Sequence, residues 1–118
     1  MIIAGSRSFI DYNMLVDKAQ SVLAQWCLHN GCDIQILTGG AEGADALGEI
    51  YAVDYDWLHL RCEADWATHG RAAGPIRNTQ MVDISEVLIA FWDGESRGTK
   101  DVITKAINSG LETHVYTF

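Results

Sequence analysis

Short apolar runs alternate with segments of helical periodicity along this chain, and that alternation restricts the fold more than any single motif does. Met1 to Ala4 reads as a first strand opening into Gly5-Ser6-Arg7-Ser8. Asp11 is placed to cap the next helix, in which Leu15, Ala19, Val22, Leu23 and Trp26 recur at the spacing of one buried face before Asn30-Gly31 stops it. Ile34 to Leu37 forms a second strand leading into Thr38-Gly39-Gly40-Ala41-Glu42-Gly43-Ala44-Asp45, and Ala44, Leu47, Ile50 and Tyr51 mark the following helix face. The third strand, Trp57 to Arg61, gives way to a polar segment running through Asp65-Trp66 and Gly70-Arg71-Ala72-Ala73-Gly74. Pro75 then suits the first turn of a helix reaching Val82. Val87 to Trp92 is an uninterrupted apolar strand that breaks at Asp93-Gly94-Glu95-Ser96-Arg97-Gly98-Thr99. Val102, Ile103, Ala106 and Ile107 form the last helix face, Gly110 ends it, and Thr113 to Thr117 is the final strand.

Continuous apolar strands separated by helices belong to a parallel sheet covered on both faces. The pattern predicts an α/β fold: a single Rossmann-like three-layer domain over residues 1–118, with a five-stranded, mainly parallel sheet and helices on both faces. A chain of 118 residues leaves no room for a separate catalytic domain. Right-handed crossovers bring every strand-to-helix turn to the carboxyl edge of the sheet, where open α/β sheets bind ligands near the reversal of strand order.

Charge is distributed unevenly over that frame. Arg7, Arg61, Arg71, Arg77 and Arg97 all lie in or beside the glycine-bearing turns, whereas Lys18, Lys100 and Lys105 fall on predicted helices. In a chain of formal net charge −8, guanidinium groups gathered at one sheet edge point to a small anionic ligand, most simply a phosphate-bearing nucleotide. Helices starting beside Gly43, Pro75 and Gly98 direct free amides and positive dipole ends the same way. The acidic balance, with a pI near 4.7, argues against a nucleic-acid partner, because neutralising a phosphate backbone needs an extended basic face. No apolar run approaches a membrane span and no signal-peptide pattern opens the chain, so a soluble, cytoplasmic protein without a membrane partner is expected. Cys27, Cys32 and Cys62 are odd in number and form no CxxC pair, which reads as free thiols. His29, His59, His69 and His114 lack metal-site spacing, so no metal and no cofactor is expected; His69, beside Gly70-Arg71, is the one histidine positioned to donate a proton.

Each glycine segment alone is weak. Gly39-Gly40-x-x-Gly43 has neither the spacing of a dinucleotide fingerprint nor the Lys-Ser/Thr pair of a P-loop, and Thr99 after Gly98 serves equally well as a helix cap. Their common edge is what gives them weight. Taken together, Gly5-Ser6-Arg7-x-Phe9, Gly39-Gly40-Ala41-x-Gly43-Ala44-Asp45, Ala64-Asp65-Trp66, Gly70-Arg71-Ala72-Ala73-Gly74-Pro75-Ile76-Arg77-Asn78-x-x-Met81 and Ser96-Arg97-Gly98-Thr99 resemble the YspA-related SLOG domains, with Asp65 to Met81 the most specific part. These are Rossmann-like modules similar to the Lonely Guy phosphoribohydrolases, the molybdenum-cofactor carrier proteins and the DNA-processing protein DprA. The resemblance implies binding of a nucleotide or nucleotide-derived ligand such as an ADP-ribose derivative, and, as in related domains, a homodimer or higher homo-oligomer.

The resemblance departs at one telling position. Lonely Guy enzymes carry PGGxGTxxE, whose glutamate helps cleave the bond between base and ribose. Matching its Gly-Thr to Gly98-Thr99 puts Val102 in the glutamate's place and Glu95-Ser96-Arg97 in place of Pro-Gly-Gly. Valine can neither stabilise oxocarbenium character nor activate water. Asp45 and Asp93 are the weak substitutes at the site edge, with Asp45 equally able to hold a ribose hydroxyl or cap its helix. The expected ligand contacts are Gly5, Ser6, Arg7, Gly39, Gly40, Ala41, Gly43, Asp45, Arg71, Arg77, Asn78, Asp93, Ser96, Arg97, Gly98 and Thr99, led by the arginines because a guanidinium pairs bidentately with phosphate. Against this stands the alternative that Arg71 pairs with Asp65 and Arg97 with Glu95; Arg61 reads as structural. Trp66 and Trp92 either stack on a base or, the reading favoured here, pack against the sheet as Trp26 and Trp57 do. The expected function is therefore noncatalytic sensing, carriage or sequestration of a nucleotide-derived molecule, with a phosphoribohydrolase-type nucleotide hydrolase as the alternative.

Overall fold

In a computed structural model describing residues 1–118, the strands are β1 (Ile2–Gly5), β2 (Gln35–Thr38), β3 (Leu58–Arg61), β4 (Val87–Trp92) and β5 (Glu112–Thr117). The helices are α1 (Tyr12–Asn30), α2 (Ala44–Asp54), a single turn α3 (Trp66–His69), α4 (Ala73–Asp83) and α5 (Arg97–Asn108). All strand pairs are parallel, in the order β3-β2-β1-β4-β5. The fold is the expected Rossmann-like α/β domain, with a sheet parallel throughout.

Alternation along the central strands explains why they read as unbroken apolar runs. Ile3, Ile36, Ile89 and Phe91 face one side, where they pack with Leu15, Ala19, Val22 and Leu23 of α1 and Tyr51 of α2. Ile2, Ala4, Leu37, Leu88 and Ala90 face the other, against Met81 and Val82 of α4 and Val102, Ile103 and Ala106 of α5. A strand with helices on both sides has no solvated face to mark with polar residues. The helix after β1 therefore covers one face and the helix after β4 the other. Since β1 and β4 are neighbours, the strand order reverses between them and a crevice opens at their carboxyl ends.

Several sequence expectations need correction. Ile50 and Ile107, expected on buried helix faces, are 48% and 60% exposed. On α2 the sheet-facing stripe runs through Gly48 instead, where an added Cβ would stand 2.9 Å from Ile3 Cγ2, so the helix lies too close for a large side chain there. After α5, Leu111 packs on the core in place of Ile107. The polar segment after β3 contains α3, whose N-cap Asp65 accepts a hydrogen bond from Thr68 N at 3.2 Å. Nor are all the cysteines free: Cys27 and Cys32 form a disulfide, and only Cys62 is a thiol. Gly31, at φ +80°, turns the chain back beyond α1 and brings the two cysteine Cα atoms to 4.8 Å, within bridging range. No helix is long and apolar enough to cross a membrane.

Candidate functional site

The crevice at the strand ends is a cavity of about 630 Å³, walled by the loops after β1, β2 and β4 and by the α3–α4 segment. Its floor depends on one buried serine. Ser6 N donates to Phe91 O at 2.9 Å, its carbonyl accepts from Ala44 N at 3.4 Å, and its Oγ accepts from Asp93 N at 3.1 Å. Ser6 thus fastens three loops together, leaving Arg7 to line the cavity. The packing is close: a Cβ on Gly5 would sit 2.3 Å from Phe91 O, and one on Gly43, at φ +74°, would sit 2.4 Å from Ser6 O.

Asp45 lies in the first turn of α2, 5% exposed, with Oδ2 accepting from Gly39 N at 2.8 Å and Ala41 N at 3.4 Å. Burial raises its pKa to about 6, outweighing those two amides and the positive charge of Arg77. Oδ1 takes no hydrogen bond from the protein, and Asp45 lines the cavity. Arg77 Nη1 donates to Gly39 O at 2.7 Å, and its Nε donates to Asn78 Oδ1 at 2.9 Å. Asn78 in turn donates to Asp101 Oδ2 at 3.0 Å and Gly98 O at 3.3 Å, joining α4 to α5.

Asp93 behaves quite differently from Asp45. Its Oδ1 accepts from Ser96 N at 2.8 Å and Glu95 N at 2.9 Å, and these amides hold its carboxyl below the usual carboxylate range. It shapes the turn that delivers Ser96 as N-cap of α5, where Ser96 Oγ accepts from Thr99 N at 3.5 Å and Thr99 Oγ1 at 3.1 Å.

Electrostatics set this cavity apart from the rest of the surface. Arg7, Arg71, Arg77 and Arg97 all line it, and none has a carboxylate oxygen within 4.0 Å. The alternative pairings of Arg71 with Asp65 and Arg97 with Glu95 do not form. Arg61 is the contrast, held by Glu49 at 2.7 and 2.6 Å through Nε and Nη2, and it lies outside the cavity as its sequence position suggests. No group of three or more His, Cys, Asp or Glu side chains is arranged to hold a metal.

Comparison with known proteins fixes the lineage of this arrangement. Residues 1–69 match the family described as YAcAr, the YspA, cpYpsA-related SLOG family. The chain is also 31% identical over 117 residues to the Gene 61 protein of Mycobacterium phage D29, covering 94% of this chain and 90% of that one. This chain belongs to the YspA-related SLOG family. No solved structure matches it. Family membership is consistent with binding or processing of a nucleotide-related ligand. The family match takes in Gly5–Phe9, Gly39–Asp45 and Ala64–Trp66 but stops before Gly70–Met81, the run that reads as most specific in the sequence.

Within the SLOG cavity stand Gly5, Arg7, Ala41, Asp45, Arg71, Arg77, Asn78, Ser96, Arg97, Gly98 and Thr99. Ser6, Gly39, Gly40, Gly43 and Asp93 are not on its lining: Ser6, Gly43 and Asp93 join or shape loops, Gly39 holds Asp45 and Arg77, and Gly40 packs against Arg61. Sequence reasoning missed Asp101, which lines the cavity while accepting from Lys105 Nζ at 2.9 Å. Its i, i+4 spacing to Lys105 was the available signal. Trp66 is a correction too: it is 58% exposed on the cavity wall, not packed on the sheet. Val102, the residue in the place of the Lonely Guy glutamate, also lines the wall.

Proposed function

We propose that this SLOG domain binds a small nucleotide or nucleotide-derived ligand, such as an ADP-ribose derivative, as a sensing, carrying or sequestering module. The observation that carries this reading is the group of four cavity arginines without acid partners in a chain of net charge −8. Four guanidinium groups unneutralised by any carboxylate on one concave wall are suited to a polyanion, although Arg77 also braces the loops through Gly39 O and Asn78 Oδ1. The start of α5 adds to it, since the backbone N–H groups of Arg97 and Gly98 have no protein acceptor. A concave site of this size takes a small molecule in preference to a nucleic-acid strand or a membrane surface.

Asp45 supports a second reading, a nucleotide hydrolase releasing a base from a nucleoside monophosphate. A carboxyl with pKa raised to about 6 inside an anion-binding cavity is matched to proton transfer near neutrality. Asp93 is unsuited to that task because its acceptor Oδ1 is engaged by two amides and its pKa is lowered. Incubation of the protein with nucleoside monophosphates and ADP-ribose, followed by chromatography, separates the readings. Binding without base release supports the module; release beyond one equivalent supports the hydrolase. Native mass spectrometry of the same sample reads bound ligand and subunit count together, a homodimer or higher homo-oligomer being the proposed state. A mass free of ligand across all these nucleotides overturns both readings.

A further inference from the structure

Trp66 is an unusual residue to leave half in solvent. Trp92 is committed to the protein, with its indole N–H donating to Ser96 O at 3.1 Å, and the Trp57 indole N–H donates to Tyr51 Oη at 3.3 Å. The Trp66 indole N–H has no protein acceptor and the side chain is 58% exposed. It is also the one aromatic ring on the cavity wall.

Its seat is built. A Cβ added to buried Gly74 would lie 3.3 Å from Trp66 Cη2 and 4.0 Å from Cζ2, so the absent side chain lets the indole edge rest on the first turn of α4. The backbone beneath fixes that edge while much of the ring stays open. One helical turn beyond Gly74, about 6 Å along the axis, Asn78 donates to Gly98 O at the start of α5. Helix α4 therefore sets the spacing between an aromatic surface and the start of α5, where Arg97 and the free amides lie. A ribose separates the base and 5′-phosphate of a nucleotide in the same way.

We infer that Trp66 is the base platform of the cavity, stacking on the planar ring of a nucleotide whose phosphate lies toward Arg97 and the start of α5. This deepens the nucleotide-binding reading and rests on it. Under this assignment the arginines supply affinity for any phosphate ester of suitable size, and Trp66 supplies the preference for one that carries a heteroaromatic base. Stacking of this kind tolerates different bases, because each presents a π-face. Arg71, at the same wall, is free to approach the base or the second phosphate of a longer ligand.

Isothermal titration calorimetry on the full chain tests this with AMP, GMP, CMP, UMP and ADP-ribose against ribose 5-phosphate. In the wild-type protein the best nucleotide binds at least about tenfold more tightly than ribose 5-phosphate. Trp66→Leu removes about that tenfold for the nucleotide and leaves ribose 5-phosphate affinity unchanged, while Trp66→Phe keeps most of the nucleotide affinity. Nucleotide quenches indole fluorescence in the wild type, and the quench disappears in Trp66→Phe even though that variant still binds. Equal loss for both ligand classes in Trp66→Leu, or no loss for either, overturns the platform. Ribose 5-phosphate binding the wild type as tightly as every nucleotide also overturns it while sparing the anion site. Failure of every probe to bind removes the underlying reading as well. Thermal melting verifies the fold of each variant, and Trp66→Phe retains an aromatic ring beside Gly74 should the leucine variant unfold.

Discussion

Asp45→Asn should stabilise this protein at neutral pH, against the usual outcome of altering a buried polar residue. The carboxyl has a pKa raised from 3.8 to about 6 because burial opposes its charge more than Gly39 N, Ala41 N and Arg77 support it. A raised folded-state pKa means that the native protein holds the proton more tightly than the unfolded chain between about pH 4 and pH 6. Stability therefore falls as pH rises through that window and is flat in this contribution above it. A shift from 3.8 to about 6 corresponds to about 3 kcal/mol, a sizeable share of the ~5–15 kcal/mol that holds a domain together. Asparagine keeps an oxygen for the Gly39 amide and carries no charge, so most of that penalty is relieved. For a domain of 118 residues the midpoint at pH 7.5 should rise by about 10 °C. Thermal unfolding followed by circular dichroism from pH 4 to pH 8 is the assay. The variant's curve should lack the wild-type decline between pH 4 and pH 6 and converge with the wild type at the acid end. A variant that melts lower at pH 7.5, or that keeps the full pH slope, would refute the placement of a strained carboxylate in this cavity.

Arg97→Ala and Arg7→Ala should each weaken nucleotide binding by about tenfold or more in calorimetry while leaving the melting curve unchanged, since neither guanidinium pairs with an acid in the free protein. Gly98→Ala and Gly43→Ala should divide function from folding. Gly98 has open space around an added Cβ and lines the cavity, so its variant folds and loses ligand affinity; Gly43 combines φ +74° with carbonyls at 2.4 and 2.6 Å, so its variant unfolds or melts far lower. Arg61→Ala breaks the Glu49 pair outside the cavity, and it should lower the melting midpoint without changing ligand affinity.

The central sheet was legible in the sequence because the buried strands have only one way to be read. Val87 to Trp92 is apolar throughout and matches β4 residue for residue, and the faces of α1 and α5 follow the 3.6-residue period through Ala19 and Ala106. At the edges that signal fades. On β3, Leu58 and Leu60 are 67% and 42% exposed although they look as apolar as the core strands, because hydrophobicity does not encode whether a covering helix is present. Close approach was equally silent: Gly48 against Ile3 is a matter of interaxial distance, which periodicity does not carry. The disulfide escaped for a related reason, since the turn at Gly31 and not the spacing of Cys27 and Cys32 brings them together.

The site itself separates into two kinds of residue, and this division explains which were readable. Residues that meet solvent in the cavity by virtue of charge, such as Arg7, Arg71 and Arg97, announce themselves in an acidic chain by their place in glycine-bearing turns. Residues that hold the cavity open are indistinguishable in sequence from those that line it. Ser6 and Asp93 share loops with Arg7 and Arg97, yet Asp93 N donates to Ser6 Oγ and neither residue lines the cavity. Trp66 was misread for the converse reason. Tryptophan's large apolar surface makes burial the default, and sequence does not show that the Trp66 edge rests against Gly74 while the side chain stays 58% exposed on the cavity wall. Distinguishing lining from support in such loops therefore requires the hydrogen-bond pattern, because the same Gly, Ser and Asp residues satisfy both a tight turn and a phosphate.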